Sequence, residues 1–300
     1  MEQTQHTQHQ AQKSWYDRYY KLLLAIPILF FIICIGYLVF VYTQTGDIIY
    51  KDVSITGGTT ITVFHKADIE EVKLALSEKF PDAEVRAISD IRTGEQQGFF
   101  VETRAEAEDV KKALEEYLGF PLTSENSSVE FTGSSLSSSF YNQLRIAIII
   151  AFLLMGIVVF FIFRTPIPSL AVIFAAFADI IMTIAVIDFF HIELSTAGIV
   201  ALLMLIGYSV DTDILLTMRV LKAREGKVND RIKGAFKTGL TMTLTAIAAV
   251  TVSLIFIYTF SDILRQMFTI LLIGLGFDIV NTWLTNASML KWYTQARRLE

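Results

Sequence analysis

Cysteine is almost absent from this sequence, which contains a single residue of that type, Cys34. No intrachain disulfide can form, and this thiol lies in an apolar stretch where it is best explained as a small hydrophobic side chain. Enzyme motifs are also missing, since the sequence has neither a phosphate-binding glycine loop nor a spacing of ligand residues typical of a metal site. The sequence therefore predicts a protein that is not an enzyme, with no cofactor, no metal and no nucleic-acid partner.

Charged residues are scarce for a chain of 300 residues, at 18%, whereas 53% of the residues are hydrophobic and the mean hydropathy is +0.51. This composition is too apolar for a soluble domain of this size and predicts a protein that crosses the membrane several times. The net charge of −5 averages over unlike parts of the chain and says little about partners.

Six apolar segments are long enough to cross a bilayer. They lie at about 22–41, 144–163, 168–190, 197–218, 238–259 and 266–289. No small-x-small cleavage site follows the first segment, which is therefore interpreted as an uncleaved anchor. The expected organisation is a disordered tail (1–14), a first transmembrane helix (15–42), an external domain (43–140), a five-helix membrane bundle (141–291) and a cytoplasmic tail (292–300).

The region 43–140 alternates polar and apolar residues and contains no span. Strands are predicted at Ile55 and at 59–64, 84–91, 98–102 and 128–131, and helices at 68–80 and 105–118, with Asp68 as an N-cap. This β-α-β-β-α-β order is the ferredoxin-like arrangement, in which helices cover one face of an antiparallel sheet. The serine-rich segment 133–139 is interpreted as a linker back to the membrane.

Basic residues fall on one side of the membrane if all six segments cross it. They cluster before the first span, at Arg164, between the fourth and fifth spans and after the sixth, whereas the loops 188–195 and 259–266 contain only Arg265. We therefore expect a multi-pass protein of the cell membrane with both termini in the cytoplasm and residues 43–140 outside.

The fourth span contains two carboxylates, Asp211 and Asp213, which an apolar environment disfavours by about 2.5–3.5 kcal/mol each. Such residues belong to a proton or ion path, to a buried polar pair or to an interface with another membrane subunit, and a purely structural hydrogen bond between helices is the alternative. The two side chains project about 200° apart around a helix, so they are not expected to be equivalent. Asp213 is the preferred coupling residue because Thr217 lies one turn away on the same face.

Other polar residues in the spans extend this pattern. Asp179 lies near the middle of the third span, and Asp278, Asn281 and Thr285 follow one face of the sixth. The fifth span carries a stripe of small and hydroxylated residues, Thr238, Thr241 and Thr245, that favours helix packing over transport. The sequence offers these acids no basic partner within the spans, because Arg219 and Lys237 could reach them only from the cytoplasmic end. The acids are then either neutral part of the time or paired by a second chain.

Two short sequence motifs, together with the order of the predicted segments, resemble those of a known protein family. The element Thr56-Gly57-Gly58-Thr59 opens the external domain, and Gly207-Tyr208-Ser209-Val210 precedes Asp211 in the fourth span. With the order of spans and domain, they make the chain similar to the SecF branch of the SecD/SecF family, within the resistance-nodulation-division superfamily. The resemblance covers nearly the whole chain after the tail.

The resemblance implies an auxiliary subunit of the Sec protein-export machinery. Its expected partners are SecD, the SecYE translocon, exported unfolded polypeptides and membrane lipids, and bacterial members imply coupling to the proton gradient. Where those members have Asn-Asp-Thr, this chain has Asp211-Thr212-Asp213, and where they have Arg at the start of the fifth span, it has Lys237. These departures look archaeal. The arginine at the end of the fourth span is kept as Arg219. The alternatives are a small-molecule or lipid exporter of the same superfamily and a scaffold subunit that transports nothing.

Overall fold

The computed structural model describes residues 15–89, 93, 95–132, 134–222, 226–257 and 262–297. The tail predicted over 1–14 lies outside the described residues. The elements in chain order are α1 (Trp15–Thr45), α2 (Val53–Thr56), β1 (Gly58–Val63), α3 (Ile69–Ser77), β2 (Glu84–Ser89), β3 (Gln96–Thr103), α4 (Ala107–Leu118), β4 (Ser127–Thr132), α5 (Ser134–Phe163), α6 (Pro166–Phe189), α7 (Thr196–Lys222), α8 (Val228–Ile257), α9 (Asp262–Val280), a π-helical turn (Asn281–Asn286) and α10 (Ala287–Ala296).

Six segments of the described chain are helices long and apolar enough to cross a membrane. They are Tyr16–Thr45, Ser139–Phe163, Pro166–Phe189, Thr196–Lys222, Val228–Ile257 and Ile263–Ala296, the last running through α9, the π-helical turn and α10. The predicted number of spans is therefore confirmed. Several helices continue past the apolar segments that predicted them, because a helix satisfies its own backbone groups on both sides of the apolar layer.

Two local predictions were wrong. Ile55 is not in a strand but in the short helix α2, and its side chain is only 3% exposed because it packs into the core of the helical bundle. The serine-rich segment predicted as a linker is helical from Ser134 onward and is the first part of α5. Once the apolar part of a helix has formed, each further residue adds one backbone hydrogen bond, so α5 extends through this segment.

The four strands form one antiparallel sheet in the order β2-β3-β1-β4. The predicted β-α-β-β-α-β order of elements is thus present. Ile61 of β1 pairs with Val101 of β3 on one side and with Val129 of β4 on the other. The core between sheet and helices consists of fully buried aliphatic and aromatic side chains, chiefly Ile61, Val63, Val72, Leu76, Phe99, Val101, Val110 and Leu114. Asp68 caps α3 as predicted, accepting from the Glu70 amide at 2.9 Å.

Helices α6, α7 and α9 occupy the centre of the membrane bundle. Buried residues make up 61% of the most apolar part of α6 and 56% of that of α7, but only 6% of that of α8. Gly274 lets α9 approach α7, because three carbons of Leu205 lie within 3.1 Å of the position that an added Cβ would take. The central helices are therefore in close contact, and α1, α5 and α8 lie at the periphery.

A backbone junction fixes the chain between α1 and the sheet to the loop between α6 and α7. The Leu194 amide donates to the Tyr50 carbonyl at 2.7 Å, and the Asp52 amide donates to the Leu194 carbonyl at 3.1 Å. Gln266 of α9 joins the same loop by accepting from the Ser195 amide at 3.1 Å and donating to the Glu193 carbonyl. The sheet domain is thus attached to the loop between α6 and α7, and this loop is bonded to α9.

Candidate functional site

Three buried carboxylates lie in the middle of the bundle, one on each central helix, while a fourth, Asp188, is buried at the end of α6. Asp179 of α6 and Asp213 of α7 have no exposed surface, and Asp278 of α9 is 1% exposed. Asp211 lies on the outside of α7 and is exposed. Asp213 and Asp211 therefore face different sides of α7. This was predicted from the angle of about 100° that separates the side chains of neighbouring residues on a helix.

Asp179 is held by one side chain from α7 and one from the π-helical turn that follows α9. The Ser209 hydroxyl of α7 donates to its Oδ2 at 2.6 Å, and the Asn281 amide donates to its Oδ1 at 2.7 Å. Thr285 in turn donates to Oδ1 of Asn281 at 3.3 Å. Both oxygens of Asp179 therefore have neutral donors, which satisfy a buried carboxylate without compensating its charge.

Asp213 and Asp278 share one hydroxyl. The Thr282 Oγ1 lies 2.9 Å from Oδ1 of Asp213 and 3.2 Å from Oδ1 of Asp278. Asn286 donates a second hydrogen bond to Oδ1 of Asp213 at 2.8 Å, and Thr243 of α8 donates to Oδ2 of Asp278 at 3.3 Å. A threonine hydroxyl carries one proton, so it can donate to only one of the two carboxylates at a time.

The π-helical turn positions these donors. Its residues Asn281, Thr282, Thr285 and Asn286 are each at most 1% exposed. A π-helical turn is wider than an α-helical one, and single π turns occur frequently at functional sites. Adjacent residues of this turn reach different helices, with Asn281 bonded to α6 and Thr282 to α7.

Three buried oxygens around Asp213 have unused hydrogen-bonding capacity. Oδ2 of Asp213, Oδ1 of Asn286 and Oγ1 of Thr217 are buried without a hydrogen-bond partner within the described part of the chain. The first two are acceptors and cannot satisfy each other. A proton on Asp213 would supply a donor in this acceptor-rich place, so the cluster is chemically suited to hold and release a proton.

Asp211 belongs to a different surface. It shares one exposed side of α7 with Gly207 and Tyr208, and Val200 and Met204 continue that side with 41% and 40% exposure. The bundle thus leaves an acidic residue uncovered on an apolar helix face.

The remaining residues singled out in the sequence lie away from the carboxylates. Arg219 donates to the Gly234 carbonyl at 2.6 Å, and Lys237 is exposed. In the Thr-Gly-Gly-Thr element, Gly57 has a φ of 83° and makes the turn between α2 and β1, a conformation that favours glycine. Thr59 there donates to the Ala105 carbonyl at 2.6 Å. The Arg219 contact joins α7 to α8, the contacts of Gly57 and Thr59 belong to the sheet domain, and none of them involves the acid cluster.

The hydroxyl stripe of α8 does not pack as predicted within this chain. Thr238, Thr241 and Thr245 each donate to the carbonyl four residues earlier, and the last two are exposed. Only Thr243, which the stripe did not include, turns inward to Asp278.

Sequence reasoning missed three donors, Thr243, Thr282 and Asn286, and it noted Ser209 only as part of a motif. A signal for two of them was present, because Thr282 and Asn286 follow Asp278 at intervals of four residues. No comparable signal distinguished Thr243 from the other threonines of α8.

Comparison with known proteins gives consistent matches. Residues 110–296 match the family model described as "Protein export membrane protein SecD/SecF, C-terminal". The protein-export membrane protein SecF of Methanocaldococcus jannaschii is 42% identical over 283 residues, covering 91% of this chain and 95% of that protein. The SecF of Pyrococcus furiosus is 35% identical over 279 residues, covering 92% of both chains.

A solved structure shares the fold. The crystal structure of SecDF, a translocon-associated membrane protein from Thermus thermophilus, superposes with a TM-score of 0.71 at 16% identity, covering 95% of this chain and 39% of that longer chain. A second SecDF structure, in a form called super-membrane-facing, gives a TM-score of 0.60 over 94% of this chain and 39% of that one. With the sequence matches, these results decide the family: the chain belongs to the SecD/SecF family of protein-export membrane proteins, and within it to the relatives named SecF.

Proposed function

We propose that this protein is a non-enzymatic subunit of the protein-export machinery that acts with a SecD-type partner to promote translocation of polypeptides across the membrane. The observation that carries this proposal is the buried cluster of Asp179, Asp213 and Asp278 in a chain of the SecF family. Buried carboxylates at membrane depth are costly, so their presence on three central helices calls for a functional reason.

Proton coupling is the use that fits the cluster best. The partners of the three carboxylates are hydroxyl and amide groups, which leave the negative charge uncompensated. Adding or removing one proton changes which carboxylate accepts from Thr282, and so changes how strongly α9 is held against α7. A proton that crosses the cluster would thus move central helices that are attached to the sheet domain through the junction at Leu194.

The sheet domain is proposed to be a ferredoxin-like unit on the outer side of the membrane. Its element order and antiparallel strand order support that assignment, and the basic residues of the opposite loops support the orientation. Cysteines introduced at Glu95 and Lys227 in a Cys34→Ser background test it with an impermeant thiol reagent. Glu95→Cys should react in intact cells and Lys227→Cys only after permeabilisation, and the reverse pattern would overturn the topology.

The SecD-type partner is proposed to cover the exposed side of α7 that carries Tyr208 and Asp211, together with the exposed threonines of α8. An ionisable residue facing lipid is unfavourable, whereas a partner helix can supply a hydrogen-bond donor. SecYE, exported unfolded polypeptides and membrane lipids are the further partners expected of a subunit of this kind.

Co-purification tests this function directly. The tagged chain, solubilised in mild detergent, should retain a SecD-type protein, and Asp211→Asn should reduce the amount retained while the chain itself still folds. Recovery of the chain only with copies of itself would contradict the proposal and favour a homo-oligomeric exporter. If the tagged chain retains the partner, but deleting the chain does not change export, the scaffold role is favoured instead.

A further inference from the structure

Strand β4 forms an open edge of the sheet. Within the described part of the chain it pairs only with β1. The Phe64 amide donates to the Asn126 carbonyl at 2.8 Å, which makes these two residues a hydrogen-bonded pair of the antiparallel ladder. The backbone groups of every second residue then face β1, and those of Val129 and Phe131, lying between, point away from the sheet.

This edge has few of the features by which proteins usually protect an edge strand. Its sequence Ser-Ser-Val-Glu-Phe-Thr contains neither lysine nor proline, its pairing with β1 has no bulge, and its one charge is Glu130. Val129 is 40% exposed and Phe131 57% exposed, on the same side of the sheet as Ile61. Glu130 lies on the other side of the sheet, so an added strand would meet an apolar row beside its free backbone groups.

The direction of the edge relates it to the membrane. Strand β4 leads through residue 133 into α5, so Thr132 lies at the end of the strand near the bundle and Ser127 at the far end. The edge therefore has one end next to the membrane helices and leads away from them.

We propose that the β4 edge binds an extended segment of an unfolded polypeptide as an added strand, which gives the export function a place where cargo is held. Main-chain hydrogen bonds recognise any sequence, and the apolar row at Val129 and Phe131 adds affinity for apolar side chains. Six residues span only about 20 Å, and a contact of that length buries less surface than a stable partner needs. The edge therefore fits a cargo segment that binds weakly and moves on. This inference rests on the proposed function.

The test uses the full chain in detergent micelles and a fluorescein-labelled peptide of 16 residues that alternates threonine and valine, has a lysine at each end and is kept dilute enough to stay monomeric. Binding is measured by fluorescence anisotropy. Val129→Pro removes an outward amide while leaving the bonds to β1, and Phe131→Lys places a charge on the edge without changing the backbone. Each should weaken binding by about tenfold, as expected for losing one backbone hydrogen bond or the apolar contact.

Leu74→Lys is the matched control, because it also replaces an exposed apolar side chain with a charged one. Leu74 lies on α3 and is 75% exposed. It should leave the dissociation constant within about twofold. If Val129→Pro fails to fold, Phe131→Lys decides the question alone.

Equal binding by the wild type and both edge variants, or no binding by the wild type, would overturn the inference. A dimer of the chain that disappears in the edge variants would also overturn it, because the edge would then hold a second copy. Export and partner retention are measured in parallel. Normal export by variants that no longer bind the peptide would refute this inference and leave the proposed function intact.

Discussion

Thr282 of the π-helical turn donates its hydroxyl proton to Oδ1 of Asp213 across 2.9 Å. The same oxygen of Thr282 lies 3.2 Å from Oδ1 of Asp278, so one proton serves two carboxylates on different helices. When one of those carboxyls is protonated it can donate back to Thr282, and the hydroxyl can then turn to the other. The link between α7 and α9 therefore depends on where the proton is.

Thr282→Val removes this hydroxyl at nearly constant volume. Asp213 would keep Asn286 as a donor and Asp278 would keep Thr243, but the direct link between the two acids would be lost. We expect the free energy of unfolding to fall by about 1–3 kcal/mol, the usual consequence of removing a hydrogen bond to a buried carboxylate. Gradient-dependent export should fall as well.

Thr245→Val is the control for that substitution, because the Thr245 hydroxyl is exposed and donates to a carbonyl of its own helix. Thermal unfolding in detergent and export into membrane vesicles are measured for both variants. Equal behaviour of Thr282→Val and Thr245→Val would mean that the shared hydroxyl has no role.

The close contact between α7 and α9 predicts opposite effects at two glycines of α9. A Cβ added at Gly274 would collide with Leu205, whereas one added at Gly276 meets no atom within 4 Å. Gly274→Ala should therefore destabilise the protein by about 1–3 kcal/mol through overpacking. Gly276→Ala should be neutral or stabilise it by up to about 1 kcal/mol, since alanine favours helix. Thermal unfolding of the two variants measures the difference, and a larger loss at Gly276 would contradict the helix packing described.

The junction between the sheet domain and the bundle should respond to pH through Glu193. Partial burial raises the pKa of this carboxyl, and Glu84 and Asp52 raise it further, while Arg86 and Arg104 act in the opposite direction. The folded protein then binds the proton more tightly than the unfolded chain. The stability contributed by Glu193 is present below its ordinary pKa of 4.5 and is lost as the pH rises through the raised value.

Hydrogen exchange of the Leu194 and Ser195 amides measures this effect. After correction for the intrinsic exchange rate, local opening should increase with pH above about 4.5 in the wild type and stay constant in Glu193→Gln. The difference should be below about 1 kcal/mol because the side chain is half-exposed and solvent screens it. Glu95→Gln changes an exposed carboxyl of the sheet domain and should retain the pH dependence. A pH dependence equal in wild type and Glu193→Gln would exclude Glu193 as its source.

The sequence was sufficient for the features that depend on local periodicity. Length and apolarity gave six membrane helices, because a bilayer permits few other structures. The angle between successive residues of a helix separated Asp213 from Asp211, and alternating residues located the four strands. Asp68 was identified as a cap from its position before an apolar helical pattern.

The remaining features depend on contacts between distant segments. Ile55 has the β-branched side chain typical of a strand, yet burial in the bundle core places it in a helix. The spacing of Thr282 and Asn286 after Asp278 places them on one helix face, but their contact with Asp213 of α7 depends on a π-helical turn, which that spacing does not predict. Thr243 differs from its neighbouring threonines only in the direction it faces, which the packing of α8 against α9 determines.

The central claim is that Asp213 exchanges the proton that drives export. Asp213→Asn keeps the size of the side chain and its hydrogen bonding but cannot ionise, and Asp230→Asn makes the same change at an exposed position at the start of α8. Each variant is purified with its SecD-type partner, reconstituted into vesicles with the translocon, and assayed for export with and without an imposed proton gradient. The account predicts that Asp213→Asn assembles normally but exports at the same rate in both conditions, whereas the wild type and Asp230→Asn respond to the gradient. A full response to the gradient by assembled Asp213→Asn complexes would contradict it.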